Sequence, residues 1–384
     1  MMGFLPYTKW TYPTDIRVGA GRIKELPEIV AETGMSKPLI VTDNGLANLP
    51  MISEAKKMTG ALVFSEVQGN PTDTNLDAGV AAFNAGCHDG IIAIGGGSAM
   101  DIGKLIALMA EQTIPVWDLE DIGDWWKRAN TNVIAPVIAI PTTAGTGSEV
   151  GRAAVLTNTT TLEKKILFHP QMLPVVVLGD PELAVGLPAD LTAATGMDAF
   201  THSFETFCTA SFHPMADGIA LESMRLIKTY LPIATENGSD LDARLKMFTA
   251  SMMAGVAFQK GLGAVHSIAH PLGAMFGLHH GLANAILLPY VIAFNRPAIE
   301  DKLSRVAQTL KVGKNYDDIM GWLLVFRKTL NIPNTLAEVG LSIDHAQEVG
   351  IKGLADPSTA CNPRIVSAED LANIYVTAVE GRLP

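Results

Sequence analysis

The chain has 384 residues, 48% of them hydrophobic and 17% charged, and a formal net charge of −11. This balance excludes intrinsic disorder, and acidity without a basic cluster excludes a nucleic-acid footprint. At roughly 100–200 residues per domain, the length predicts two domains.

The opening stretch MMGFLPYTKWTYPTD has no basic start followed by an apolar run and a small-residue cleavage site, so no secretory signal is expected. Lys37–Thr42 reads as a buried strand ending at Asp43, and Ala61–Val67 as another ending near Asn70-Pro71. Asn75–Ala85 is helical in pattern. Gly90–Ile94 is a short apolar strand with a helix following from about Ala99, and Pro136–Ile140 is a third apolar run stopped by Pro141. Such alternation predicts a parallel sheet with helices on its faces. A composition shift comes near Asp180-Pro181-Glu182 and Leu187-Pro188. Helical patterns follow at Leu191–Phe207, Pro214–Thr229, Leu241–Gln259 and Ala283–Ala293. The expected architecture is an α/β dinucleotide-binding domain over residues 1–185 and an all-α domain over 186–384, with a hinge or cleft near 180–190. The most apolar stretch, Ala285–Phe294, is interrupted by Pro289 and too short to span a bilayer. Cys87, Cys208 and Cys361 are far apart, odd in number and without CxxC spacing, which fits a reducing compartment. A soluble, cytoplasmic protein is expected.

Gly95-Gly96-Gly97-Ser98 lies between an apolar strand and a helix. Glycines let backbone N–H groups approach a ligand, and the helix points its positive end at the same spot, which suits a pyrophosphate. The motif is neither a G-x-G-x-x-G fingerprint, because position 100 is Met100, nor a P-loop, because Ser98 and Leu105 stand where Gly and Ser or Thr are needed. A tight turn is the alternative, with Ser98 and Asp101 forming a capping box. The loop Pro141–Glu149 carries three threonines and a serine among small residues, able to bond phosphate, ribose or amide, or simply to cap the next segment.

Six of the nine histidines lie between 200 and 280. Asp198 and His202 are four apart in a helical pattern, which puts them on one face, and His266 and His270 repeat the spacing, with Pro271 closing the segment. His279-His280-Gly281 follows. Several imidazoles and a carboxylate in an apolar surround need a common partner, and a first-row divalent ion such as Fe(II) or Zn(II) suits them. Spacing alone does not choose among His266, His270, His279 and His280.

Taken together, GGGSAMDIGK (95–104), PTTAGTGSEV (141–150), ATGMDAFTHSFE (194–205) and GAVHSIAHPLGAMFGLHHGLANAILLPYV (263–291) resemble the iron-containing (group III) alcohol dehydrogenase family, on its lactaldehyde reductase and 1,3-propanediol dehydrogenase side. The tail DPSTACNPR (356–364) resembles the family's late NPR motif. The resemblance implies a dehydroquinate synthase-like fold, with an N-terminal α/β dinucleotide domain, a C-terminal helical domain and an active site in the cleft between. It implies Asp198, His202, His266 and His280 as metal ligands, and His270 near the substrate as a proton relay. It implies Gly96, Gly97 and Ser98 at the pyrophosphate, and Thr142, Thr143, Thr146, Val155, Lys164 and Asn70 as further cofactor contacts. Asp43 resembles the residue facing the adenosine ribose, and a carboxylate there favours NAD over NADP. The implied cofactors are Fe(2+), with Zn(2+) as the alternative, and NAD. The implied partners are a small alcohol or aldehyde and further copies of the chain, a homodimer or larger, with no nucleic acid and no membrane. Ser358 stands where family members often carry cysteine, and the Asp118–Arg128 segment with Trp125 and Trp126 matches no family pattern. Alternative readings are a zinc enzyme like glycerol dehydrogenase, a metal-independent enzyme like maleylacetate reductase and, more distantly, a metallohydrolase.

Overall fold

This computed structural model describes residue 12, residues 14–161 and residues 163–383. The chain forms two compact units, one of Pro13–Thr192 with Glu236–Met252, the other of Ala193–Thr235 with the chain from Met253 on. The last strand ends at Gly179 and the first long helix starts at Ala189, on either side of 185/186, but residues 236–252 of the helical half belong with the sheet.

The first unit runs β1 (Asp15–Val18), α1 (Leu26–Glu32), β2 (Pro38–Val41), α2 (Pro50–Thr59), β3 (Leu62–Phe64), α3 (Asp73–Gly86), β4 (Gly90–Gly95), α4 (Gly97–Met109), β5 (Val137–Pro141), β6 (Ala153–Asn158), β7 (Glu163–Phe168) and β8 (Val176–Gly179). Six strands form one parallel sheet in the order β1-β8-β5-β4-β2-β3, while β6 and β7 pair as a separate antiparallel hairpin. PLIV, GIIAIG, VIAIP and VVLG are buried along their whole length. Continuous apolar runs of this kind are what a parallel sheet covered on both faces requires. The expected strand Ala61–Val67 is only three residues long, and Leu62 at this sheet edge is 54% exposed. From β2 the chain moves outward to β3, whereas from β4 it moves to β5 on the other side. The carboxyl ends of the neighbours β2 and β4 therefore diverge, and the crevice at such a switch point is where open parallel sheets bind ligands.

After β8 the described residues contain no further strand. They form α5 (Ala189–Cys208), α6 (Pro214–Glu236), α7 (Leu241–Ala257), α8 (Ala264–Phe276), α9 (His280–Leu310), α10 (Tyr316–Thr329), α11 (Ala346–Ala355) and α12 (Ala368–Glu380). One proline reading needs correction, and one helix is longer than its pattern. Pro271 lies inside α8 rather than closing it, and α9 runs through both Pro289 and Pro297 for 31 residues. Each proline removes one N–H and displaces one carbonyl, but burial of α9 from Gly281 through Ile292 holds the helix together. Alone among the described helices, α9 is long and apolar enough to cross a membrane, and 67% of its most apolar window is buried inside the protein.

Gly281 sets how closely α9 approaches α5. A Cβ built there would lie 2.3 Å from the Ala194 carbonyl oxygen and 3.1 Å from Asp198 Cβ. Any side chain must push apart the two helices that carry Asp198 and His280. The substitution Gly281→Ala is expected to cost about 1–3 kcal/mol by overpacking, read by chemical denaturation; an unchanged unfolding midpoint would show that the helices can shift freely.

Candidate active site

Three helices of the second unit each present polar groups at helical spacing. Asp198, His202 and Glu205 share a face of α5, His266 and His270 a face of α8, and His280 and Asn284 a face of α9. One ligand atom from each of Asp198, His202, His266 and His280 lies within 4.8 Å of every other. The Nε2 atoms of His202, His266 and His280 stand 3.7, 3.8 and 3.6 Å from Asp198 Oδ1. A tetrahedral first-row ion with bonds near 2.1 Å sets its ligands about 3.4 Å apart, so the cage has the right size for one divalent cation. Asp198, His202 and His266 are buried, and His280 is half-buried.

Sequence reasoning quoted Glu205 but gave it no role. Its carboxylate accepts from His266 Nδ1 at 2.6 Å and from the backbone N–H groups of Val265 at 2.7 Å and Gly263 at 3.1 Å. It thus satisfies the amino end of α8 and fixes the tautomer of His266, leaving the Nε2 lone pair turned to the cage. Burial disfavours the His266 imidazolium, but the hydrogen bond and charge of Glu205 outweigh it and raise the pKa. The signal was present in the sequence: Glu205 lies seven residues, two turns, after Asp198.

His270, one turn along α8, pairs through Nδ1 with Asp356 Oδ2 at 2.7 Å and stacks on His280 with ring centroids 5.2 Å apart. Burial alone would raise the Asp356 pKa, but the charge and hydrogen bond of His270 hold it below the usual carboxylate range. Asp356 opens the tail motif, whose Asn362 accepts from Ala264 N at 3.1 Å and exchanges amide hydrogen bonds with Asn295 at 2.9 Å in both directions. The tail therefore clamps the start of α8 to α9. Nothing local in the sequence points to Asp356, which is 86 residues from its partner. His279 is the N-cap of α9, accepting from Leu282 N.

In the first unit Asp43, Gly96, Gly97, Ser98, Thr142, Thr143 and Thr146 follow the carboxyl ends of β2, β4 and β5, whereas Asn70 follows β3 and Val155 and Lys164 lie on the β6–β7 hairpin. Glycine is required at 97, where a Cβ would meet Thr146 Cγ2 at 2.6 Å, whereas a Cβ at Gly96 would make only ordinary contact with Thr143, at 3.4 Å. Thr142 N donates to the Gly95 carbonyl at 2.9 Å. Asp43 accepts from Gly45 N and Leu46 N, and its Oδ2 lies 3.3 Å from the Cβ position of Gly95. Lys164 donates to Asn70 Oδ1 at 2.6 Å. The capping box expected at Ser98 and Asp101 does not form. Gly96 is the N-cap of α4, and Asp101 instead accepts from Ser148 Oγ at 2.5 Å and Val155 N at 3.0 Å. The buried ammonium of Lys104 donates to the carbonyls of Ser148, at 2.9 Å, and Ala153. Asp101 and Lys104 thus tie α4 to the threonine loop and to Val155. The Asp118–Arg128 segment, with Arg128 over the Trp125 ring, covers the hairpin: Glu120 bridges to Leu167, and Trp126 packs edge-on against Phe168.

Two matches place the chain. Residues 13–181 fit the family described as iron-containing alcohol dehydrogenase, and residues 192–379 fit the C-terminal part of the Fe-containing alcohol dehydrogenase family. The chain belongs to the iron-containing alcohol dehydrogenase family, and it is an oxidoreductase. It is 38% identical to a 4-hydroxybutyrate dehydrogenase of Cupriavidus necator, over 94% of this chain and 96% of the relative. It is 35% identical to an NAD-dependent methanol dehydrogenase of Bacillus methanolicus, over 97% of this chain and 100% of the relative. The crystal structure of a 1,3-propanediol oxidoreductase superposes with a TM-score of 0.90 at 34% identity, covering 97% of this chain and all of that one.

Two carboxylates give separate tests. Replacing Glu205 with Gln removes the charge beside His266 Nδ1 and sets an amide N–H against one of the N–H donors the carboxylate now accepts from. The Glu205→Gln variant is expected to bind ferrous ion about 10–100-fold more weakly, measured by chelator competition; wild-type affinity would remove Glu205 from the support of the site. Glu149, in the threonine loop, is 2% exposed, and burial raises its pKa from 4.5 to about 7. Between those values the unfolded chain has lost a proton that the folded protein keeps, so stability falls as pH rises through this window and the loss is complete above it. Glu149→Gln is expected to gain on the wild type with rising pH, by up to about 3 kcal/mol near pH 8. A stability difference that stays constant from pH 5 to 8 would contradict the protonated, buried state.

Proposed function

We propose that this protein is an iron-dependent, NAD-linked dehydrogenase that interconverts a short primary alcohol and its aldehyde. The observation that carries the reading is the cage of Asp198, His202, His266 and His280, three imidazoles and one carboxylate at cation-binding separations within a buried surround. Fe(2+) suits this donor set, and Zn(2+) is the alternative. When bound, such an ion supplies a Lewis acid that stabilises the alkoxide and polarises the carbonyl oxygen. The family, and the NAD dependence named for the methanol dehydrogenase relative, support the choice of cofactors. 4-Hydroxybutyrate, methanol and 1,3-propanediol, named for the three similar proteins, are all primary alcohols of four carbons or fewer, which supports the substrate class.

The chain's own groups divide the work. Asp198, His202, His266 and His280 hold the ion, and Glu205 fixes which nitrogen His266 offers. His270 passes the hydroxyl proton outward, its ring oriented by Asp356. Gly96, Gly97 and Ser98 receive the pyrophosphate at the amino end of α4, without a Cβ at 96 and 97 to obstruct it. Thr142, Thr143, Thr146 and Val155 line the same turn, held by Asp101 and Lys104. Asp43 accepts the ribose hydroxyl and repels a 2′-phosphate, and the Asn70–Lys164 pair closes the far side of the nucleotide. A cytoplasmic homo-oligomer acting on small molecules completes the proposal; the oligomeric state rests on the family resemblance and the compartment on the three free cysteines.

The test is anaerobic reconstitution with ferrous ion, followed by assays on one- to four-carbon primary alcohols with NAD and NADP in parallel. Turnover is expected with NAD, with a clear preference over NADP, and chelation is expected to abolish it. His266→Ala is expected to lose bound iron and turnover together. Full activity after chelation, or in a His266→Ala enzyme without metal, would overturn the metal-dependent reading.

A further inference from the structure

Asn284 is fully buried, and it lies on α9 one turn after His280. Its amide nitrogen stands 2.7 Å from Asp198 Oδ1, 3.1 Å from His266 Nε2 and 3.1 Å from His280 Nε2. These are the ligand atoms of three of the four cage residues. The orientation of the amide follows from chemistry. Asp198 Oδ1 is an acceptor, and Glu205 holds the proton of His266 on Nδ1, which leaves a lone pair at Nε2. Only the NH2 end of the amide can face such a set. The opposite end, Asn284 Oδ1, is buried and has no hydrogen-bond partner among the described residues, a costly arrangement for a carbonyl in the interior.

We propose that Asn284 is a positioning residue that competes with the cation for the ligand lone pairs, and that its amide turns when the ion enters. A lone pair committed to a metal cannot also accept an amide hydrogen, and an N–H pointed at a cation is repelled. The partnerless Oδ1 is the end that a nearby cation attracts, so turning the amide removes both conflicts at once. Without metal, the two N–H donors of the amide bridge Asp198 Oδ1 and the adjoining His266 and His280 nitrogens at cation-binding separation, where the carboxylate oxygen and the His266 lone pair would otherwise face each other with no donor between them. Asn284 therefore keeps the cage assembled for loading at the cost of its own unsatisfied oxygen.

The inference rests on the metal-binding reading of the four residues, and the experiment separates the two. Thermal unfolding of the full chain is measured after chelation and again with saturating ferrous ion under anaerobic conditions, for the wild type, Asn284→Leu and Asn284→Asp, with chelator competition for affinity. Asn284→Leu keeps the branching of the side chain, with somewhat greater bulk, but has neither donor nor acceptor. Its chelated form is expected to melt about 2–4 °C below the chelated wild type, while its iron-loaded form loses less than half as much. Asn284→Asp puts a second carboxylate against Asp198. It is expected to destabilise the chelated form more than Leu does, and to recover on loading with an iron affinity at least 10-fold above wild type. Equal losses in both forms of Asn284→Leu would make Asn284 a packing residue and overturn the proposal, as would unchanged melting and affinity in both variants. A variant that fails to fold after chelation but is rescued by iron supports it. A wild type that takes up no iron would sink the metal reading itself, which is a different result from variants that behave alike on a wild type that does.

Discussion

The carboxylate of Glu205 is the contact on which the rest of the candidate site depends. It accepts three hydrogen bonds, from the N–H groups of Gly263 and Val265 and from His266 Nδ1. The first two secure the amino end of α8, and the third determines which nitrogen of His266 faces the cage. One side chain on α5 therefore sets the position of a neighbouring helix and the protonation geometry of an imidazole on it. Such a group is hard to replace. A charged, buried carboxylate with three donors is stable, but its removal leaves two buried amides and an imidazole N–H without acceptors, each costing about 1–3 kcal/mol. Gly263 is part of the same contact, because a Cβ there would lie 3.0 Å from both Glu205 Oε1 and Asn362 Oδ1.

The sheet unit solves its own positioning problem with the opposite charge arrangement. Asp101 and Lys104, one turn apart on α4, reach the threonine loop and the hairpin that follows it. The Lys104 ammonium is fully buried, and burial lowers its pKa, opposed by the nearby Asp101 and Glu149 carboxylates. A buried pair of this kind gives weak evidence for stability. Its clearer effect here is register: the glycine turn after β4, the loop after β5 and Val155 on β6 are all held through one helix. Held this way, Thr146 packs close against Gly97, where a Cβ would lie 2.6 Å from its Cγ2.

How much of this could be read beforehand depended on whether the signal was local. The buried strands β2, β4 and β5 stood out because a parallel sheet covered on both faces needs unbroken apolar runs. β1 and β8, which pair with each other from opposite ends of the sheet unit, did not, and neither did the half-buried β6–β7 hairpin. Helical spacing brought out Asp198 with His202 and His266 with His270, since four residues make about one turn. It left the choice among the four later histidines open, and only the resemblance separated His280 from His279. Ser98 and Asp101 show how a local rule fails. The spacing of a capping box was present, but a tertiary partner, Ser148, was the better use of the carboxylate. Pro271 was read as closing its segment for a similar reason: burial in α8 outweighs the local cost of a missing N–H.

The two neighbouring histidines of α8 show how the fold assigns different tasks to one chemistry. His266 and His270 are one turn apart, and each has a carboxylate at Nδ1, Glu205 for one and Asp356 for the other. What differs is access and the origin of the partner. The side chain of His266 is 1% exposed and its carboxylate comes from the packed interior of α5; that of His270 is 12% exposed and its carboxylate comes from the tail before the Asn-Pro-Arg motif. A deeply buried imidazole with a fixed tautomer can offer a lone pair to an ion but has no route for a proton. An imidazole at the margin, held by a group on a separate segment, can exchange one. Burial, more than residue type, therefore supports the division between ligand and proton carrier proposed for this pair. The tail thus meets α8 twice, through Asp356 at His270 and through Asn362 at Ala264 N.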